Sequence, residues 1–544
     1  MDGDLETAEH DRNLKHELGF WSLLATGVGS VIGSGWLLAA NAGANAAGPA
    51  VLVAWVIGGA LMLMIALVFA ELGMVRPESG GLVRYPLYSN GRLAATIVGW
   101  VMWISYIGNP PTEAAAVLQY ADSYVDGIFS GDKLTPFGLF LAVCLMALFV
   151  VVNYFGVQWF AKTNNVVTAF KIVVPALTVA LLLASGFGHH RGAGGTGNFS
   201  SQGFAPMGWS AALSAIATAG MIFAYTGFRN IIELSGEAKD PKRDIPRALV
   251  GTIGVAFVLY MLLQVAFLMA VPSGMLAKAG WSGVDFDSPF AQLAKLLGFM
   301  WLYWLLIADS MVSPSGSGIV YTASNARNAY GLAKSRLLPR MFTDVNERTG
   351  VPAKALLFNL AVGVVFIVVL PSWQSLVEVM SVLAVFTFSV GSVSLHVFRN
   401  NDIGEESTRL RGMRVIAPAA FVVSTLVILW EPWDILRKTI PVVVATLLYY
   451  VFAHLRHRFG RGEVGGGIWL VVYLVLVYAV SYAGSFGGRG WLPGPWDSVV
   501  IGVISLAIYL WGVRAGTAYL GEHDEIVEDI ERAHDAWQEE PAEV

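Results

Sequence analysis

Long apolar runs separated by short polar stretches recur along almost the whole chain. They lie near 19–40, 49–73, 93–121, 136–155, 164–186, 209–235, 246–271 and 298–325. Six more follow near 353–370, 374–398, 414–431, 439–456, 467–484 and 497–515. A helix needs roughly 20 apolar residues to cross about 30 Å of hydrocarbon. The pattern therefore predicts an all-α polytopic membrane protein of 14 spans. An even number puts both termini on one side, and Lys and Arg choose that side. With the N-terminus inside, the inner segments hold 25 of the 34 Lys and Arg and the outer ones seven. Lys171 and Arg229 fall within spans. Both ends are expected in the cytoplasm.

Composition sharpens this class. Hydrophobic residues make up 56% of the chain and charged ones 13%, against roughly 25% charged in soluble domains. The net charge of −5 says little about partners, because the two signs are segregated along the sequence. A lone cysteine, Cys144, excludes an internal disulfide and leaves the redox compartment unread. The polar N-terminal stretch is acidic, and the first apolar run lacks a small-residue cleavage site, so the first helix is expected to stay. The place expected is the cell's inner (plasma) membrane.

Two spans are poor helices. Ile32-Gly33-Ser34-Gly35 interrupts the first, since glycine costs roughly 1 kcal/mol against alanine in a helix interior. Phe223-Ala224-Tyr225-Thr226-Gly227-Phe228-Arg229 interrupts the sixth. Broken backbone in a membrane persists only where protein buries it or where it lines a polar cavity. Alone, Gly33-Ser34-Gly35 reads first as a packing device that brings helices close. Two breaks five helices apart say more. They match inverted repeats of helices 1–5 and 6–10 with a small-molecule site at the interface. Free N–H groups at such a helix start suit an anion.

Ordered motifs then point to a family. They are GSVIGSGWLLA (29–39), AGPAVLVAWVIGG (47–59), AELGMVRPESGG (70–81), AKTNNVVTAFK (161–171), FAYTGFRN (223–230), GEAKDPKRDIPRA (236–248) and RNAYGLAKSRLLPRMFTDVNERTGVPAKALL (327–357). Together they resemble the amino acid–polyamine–organocation superfamily of transporters over most of residues 19–400. Three details are closer to bacterial aspartate–proton symporters: the tryptophan of Gly33-Ser34-Gly35-Trp36, the stretch Arg84 to Gly91, and Ser481 to Gly488. The fourteen-span count fits that branch too.

The resemblance implies a 5+5 inverted-repeat core over 19–400 and four accessory helices over 401–515. A cytoplasmic tail, 1–18, precedes them, and an acidic one, 516–544, follows. It also implies roles. Gly33, Ser34 and Gly35 bind the substrate α-carboxylate. Carbonyls around Phe223, Ala224 and Thr226 bind the α-amino group, and Phe223 is the aromatic gate. Ile32, Tyr225 and Gly227 complete the two lining segments. Lys171 stands where proton-coupled relatives place a lysine and sodium-coupled relatives a sodium ion.

Charges inside the spans carry the remaining chemistry. A mid-depth lysine is costly, so Lys171 is expected to exchange a proton or, near an interface, to snorkel. Arg229 departs from the family pattern, where a glutamate usually follows Gly-Phe. Its guanidinium would bind a substrate side-chain carboxylate through paired hydrogen bonds. Otherwise it pairs internally with Asp309, Glu113 or Glu233. Glu113 and Asp309 are candidates to share a proton with Lys171. Glu71, Glu78 and Glu237, near Arg76, Arg84 and Lys239, would form an inner gate network or plain helix-end pairs.

Other signals lead nowhere chemical. His189-His190-Arg191 has no third ligand at metal spacing, and no phosphate-cradling loop is present. No cofactor, metal or nucleic acid is expected, and no enzymatic cluster of His and Asp stands in the spans. Asn198-Phe199-Ser200 fits a glycosylation sequon. The loop 187–208 looks flexible, and 285–297 suits a short amphipathic helix. The function expected is secondary active import of an amino acid with a proton, an acidic one such as aspartate favoured. A proton-independent exchanger and a non-transporting sensor of the same fold are the rivals.

Overall fold

The computed structural model describes residues 18–77, 81–155, 157–284, 286–335, 337–344, 352–457, 461–528 and 530. It is a helical bundle whose elements follow the apolar runs. α1 (Phe20–Val31) and α2 (Gly35–Ala47) form the first span, broken between them. α3 (Val51–Val75) follows a turn carrying Pro49, a residue preorganised for a helix start. Nine helical stretches among the described residues are long and apolar enough to cross a membrane, one of them α2 and α3 together. Counting the bent pair α8 (Trp209–Thr218) and Met221–Glu233 as one span makes ten.

The third span differs from expectation. Instead of one helix over 93–121 there are two, α4 (Gly81–Ile107) and α5 (Asn109–Ala121). Pro110 and Pro111 at the start of α5 cannot donate to the preceding turn, which stops α4. α4 is itself kinked at Gly91, whose φ of 78° suits glycine. α6 (Pro136–Phe155) and α7 (Val157–Phe187) complete the first five spans.

The sixth span bends by 45° between α8 and α9 (Met221–Tyr225). The bend starts at Gly220, with φ of 74°, three residues before the predicted interruption. A 3-10 turn, Thr226–Phe228, and α10 (Arg229–Glu233) continue it. α11 (Pro241–Ala270) begins with Asp240 accepting the N–H of Arg243 at 3.2 Å, an N-cap. The expected outer helix is observed as α12 (Pro289–Leu296); Asp285 lies outside the described residues. α13 (Met300–Lys334), α14 (Ala353–Val369) and α15 (Trp373–Asn400) follow. The last helices are α16 (Met413–Trp430), α17 (Ile440–His457), α18 (Arg461–Gly465), α19 (Ile468–Ala483) and α20 (Trp496–Gly521).

Two loop expectations change. The segment 187–208 is pinned to the end of α11, with the Gly194 N–H donating to Val271 O at 3.1 Å. Asn198 is buried and its amide donates to Leu268 O and Val271 O at 2.8 Å, so it is withdrawn from a glycosylating enzyme. At the other end of the bundle Glu71 is held by Arg399 (2.5 and 2.7 Å) and by the Leu410 N–H at 2.8 Å. Its partner is thus on α15 rather than Arg76, Arg84 or Lys239. Arg76 lies over the Tyr88 ring, 4.3 Å from its centre. Glu78 and the acidic tail beyond 530 lie outside the described residues.

Candidate functional site

The first break is a place of close approach. At Ile32 the chain leaves the helix with ψ of 84°, and Ser34 starts α2. The Ser34 N–H, one of the donors a helix start leaves without an intrahelical partner, donates to Glu113 Oε2 at 2.8 Å. Glu113, from α5, is buried. A Cβ at Gly33 would stand 2.6 Å from Glu113 Oε1 and 2.9 Å from Ser317 Oγ. One at Gly35 would stand 2.9 Å from Ala224 Cβ and 3.1 Å from its Cα. Both positions therefore need glycine for space. Ser34 Oγ accepts from Trp373 Nε1 at 3.0 Å.

The second break meets the first. Ala224 packs on Gly35, and Gly227 lies on the backbone of Ser30 and Val31, where a Cβ would approach to 2.4 Å. Tyr260 of α11 ties the two together: its hydroxyl lies 2.8 Å from Val31 O and 3.2 Å from Ala224 O. Thr226 donates to Phe223 O at 2.7 Å. Phe223 is buried beside the break. The Tyr225 side chain turns into packing instead, against Trp55 and Tyr260. The carbonyls of Phe223 and Ala224 are thus held by hydroxyls, and the Ser34 N–H by a carboxylate, where the two breaks pack together.

Lys171 closes that space from α7. Its Nζ donates to Gly29 O at 2.9 Å and to Ser317 Oγ at 2.8 Å, and the side chain is 3% exposed. It is buried and bonded inside the bundle, so the ammonium does not snorkel to solvent. Lys171 and Glu113 act electrostatically on one another, and Ser317 reaches on to Ile32 O at 3.4 Å. Asp309, on the same helix as Ser317, is wholly buried. Its Oδ1 accepts from Ser313 at 2.7 Å, while Oδ2 has no hydrogen-bond partner.

Arg229 does not form the expected internal ion pair. Among the described residues it makes no ion pair with Asp309, Glu113 or Glu233. Its guanidinium lies over Tyr106, 3.6 Å from the ring centre, and 5.4 Å from that of Tyr321. Nη1 donates to Ser105 Oγ at 3.3 Å, and Nε has no partner. Glu233 reaches this group only through the Tyr106 hydroxyl, at 3.4 Å. A cation held by two aromatic faces keeps donors free for another acceptor.

The structure thus brings Gly33, Ser34, Gly35, Ala224, Glu113 and Lys171 into one cluster, with Arg229 one turn beyond Thr226 on α10. Sequence reasoning passed over Trp373, Tyr260, Ser317, Tyr106 and Tyr321. Ser317 had a visible signal, the Ser-Pro-Ser-Gly-Ser-Gly run of span eight, too polar for a lipid-facing helix. Trp373 had one only in hindsight: Ser372 caps α15 by accepting from Ser375 N at 3.2 Å, which aims the indole inward.

The sequence also matches known proteins. The family model for amino acid permeases matches residues 18–453. The glutamate/serine transporter AimA of Bacillus subtilis is 39% identical over 94% of this chain and 96% of its own length. The aspartate–proton symporter of the same organism is 34% identical over 93% of this chain and 97% of its own. Human cationic amino acid transporter 4 is 27% identical over 73% of this chain and 61% of its own length.

Proposed function

Because the chain belongs to the amino acid permease family, we propose that it imports an acidic amino acid together with a proton by alternating access. Amino acid transport follows from the family; the acidic substrate and the proton are the proposal. The observation that carries it is Glu113 on the Ser34 N–H, beside Lys171. A carboxylate of the protein occupies the donor that a substrate α-carboxylate would need. Protonation gives Glu113 an O–H donor and removes its charge, which weakens its acceptance from the Ser34 amide and lets a substrate carboxylate compete for that N–H. Proton and substrate would then enter together, which is symport. Carbonyls of the second break would take the α-amino group, with Phe223 closing over it. Arg229 would meet the side-chain carboxylate through the donors its aromatic neighbours leave open. Relatives named for glutamate, serine and aspartate support this substrate class.

The same reading keeps fourteen spans, a 5+5 core, accessory helices 11–14 and both termini inside the plasma membrane. The test is an uptake panel in proteoliposomes: labelled aspartate, glutamate, alanine and arginine, each with and without an imposed proton gradient. Gradient-driven accumulation of aspartate or glutamate is expected. Uptake that responds only to an amino acid loaded on the opposite side would instead establish exchange.

A further inference from the structure

We infer that one face of α13 is the path by which the external proton reaches the site: Asp309 receives it, and Ser313 and Ser317 pass it to Lys171. This rests on the proton-coupled reading above. Positions 309, 313 and 317 are spaced by four, so they stack along one helix face. At 1.5 Å per residue they span about 12 Å of depth.

Both ends of this line are already connected. At one, Ser313 donates to Asp309 Oδ1 at 2.7 Å. At the other, Lys171 Nζ donates to Ser317 Oγ at 2.8 Å. Between Ser313 and Ser317 lies one turn, roughly 5–6 Å between Cβ atoms, a gap that one water molecule would span in the proposed path. The outer end has an open acceptor. Asp309 Oδ2 is buried without a partner, and Trp36 Nε1 lies near it short of hydrogen-bond geometry, also unpartnered. A buried carboxyl oxygen left so is costly inside a membrane and marks a pathway residue.

The groups acting on Asp309 are few. Tyr120 of α5 is one, its hydroxyl engaged with Leu37 O at 3.2 Å, and Lys171 of α7 is the other. Glu113 of α5 acts on Lys171. From α12 comes only Phe290, stacked on Trp36 at 5.5 Å. The chain enters α13 on the side opposite Lys334, which puts Asp309 nearer the outside than Ser317.

The transfer balances. An external proton binds Asp309 and neutralises the carboxylate. Asp309 gives its proton to Ser313 Oγ as that hydroxyl, now turned inward, releases its own to the bridging water, which passes one of its protons to Ser317 Oγ. The Ser317 hydroxyl, which donates to Ile32 O at 3.4 Å, turns to neutral Lys171 and releases its own proton there; Lys171 becomes the ammonium, and Asp309 returns to the carboxylate. Lys171 then gives its proton to Glu113, which loosens its hold on the Ser34 amide, and Glu113 discharges it to the inside.

The test uses the full-length protein in proteoliposomes with labelled aspartate. Two readouts are taken: accumulation driven by an inward proton gradient, and counterflow without a gradient. Ser313→Ala is expected to lower gradient-driven uptake by roughly tenfold or more, the scale of a lost proton-transfer group, with counterflow kept. Ser313→Thr, which retains the hydroxyl, should restore it, and Asp309→Asn should lose it. Wild-type uptake by Ser313→Ala would overturn the relay, as would equal loss of both readouts, which marks a structural role. If the wild type itself ignores the gradient, the proton-coupled reading fails instead.

Discussion

The two broken helices differ in the backbone groups they leave open. At Gly33-Ser34-Gly35 the Ser34 N–H is held by a carboxylate, Glu113, while the carbonyls just before it accept from Lys171, Tyr260 and Ser317. At Phe223 to Gly227 the exposed groups are carbonyls, and what occupies them are the hydroxyls of Tyr260 and Thr226. Under the proposed function the Ser34 N–H would take the anionic end of an α-amino acid and the carbonyls of the second break its amino group. The breaks differ also in what makes them. The first depends on space, since Gly33 and Gly35 admit no Cβ beside Glu113 and Ala224. The second begins with backbone conformation, at Gly220 with positive φ. Charge follows the same division: Lys171 is bonded to Gly29 O at the first break, whereas Arg229 belongs to the second and lies on aromatic faces.

The largest expected effect tests the first break's charge. Lys171→Ala should abolish uphill aspartate accumulation while leaving some binding, read by uptake and by ligand-induced thermal shift. Full accumulation by this variant would remove Lys171 from coupling. Next comes the first break's space. Gly35→Val must displace Ala224 backbone at 3.1 Å, so uptake should fall to background in protein that still elutes as a folded species. Ordinary uptake would show that the two breaks are not in the close contact described.

Arg229→Gln separates the two breaks by substrate. Loss of charge-assisted hydrogen bonds worth roughly 1.5–3 kcal/mol should raise the aspartate KM by about 10- to 100-fold, and the alanine KM far less. An equal rise for both would assign Arg229 to the structure of the Tyr106–Tyr321 stack. The smallest effect belongs to Trp373→Phe, which removes the donor to Ser34 Oγ and keeps the ring. A neutral hydrogen bond contributes about 0.5–1.5 kcal/mol, so KM should rise roughly 2- to 10-fold for acidic and neutral substrates alike. A selective effect on aspartate would move the side-chain pocket from Arg229 toward α15.

Much of this was legible in the sequence, for reasons of scale. Runs of about 20 apolar residues announce spans because hydrocarbon sets their length, and glycines inside them announce breaks because glycine lacks a Cβ and takes positive φ at little cost. That placed Gly33, Ser34 and Gly35 and found the sixth span's break, though it misplaced the start. Gly220 initiates the bend because a left-handed residue ends α8 there, while the motif beginning at Phe223 only continues it. Pairings across the bundle were not legible. Glu71 with Arg399 is 328 positions apart in the chain, and Arg399 offered no local sign of it. Arg229 invited a carboxylate partner by charge alone, yet two tyrosines from α4 and α13 meet it first. Side-chain partners set by tertiary packing leave no periodic trace.

The most direct measurement of the account is proton movement itself. Proteoliposomes holding a pH-sensitive dye, given external aspartate without any imposed gradient, should acidify inside as aspartate enters, and Lys171→Ala vesicles should not. Aspartate entry by the wild type with no change in internal pH would contradict proton symport through Glu113 and Lys171.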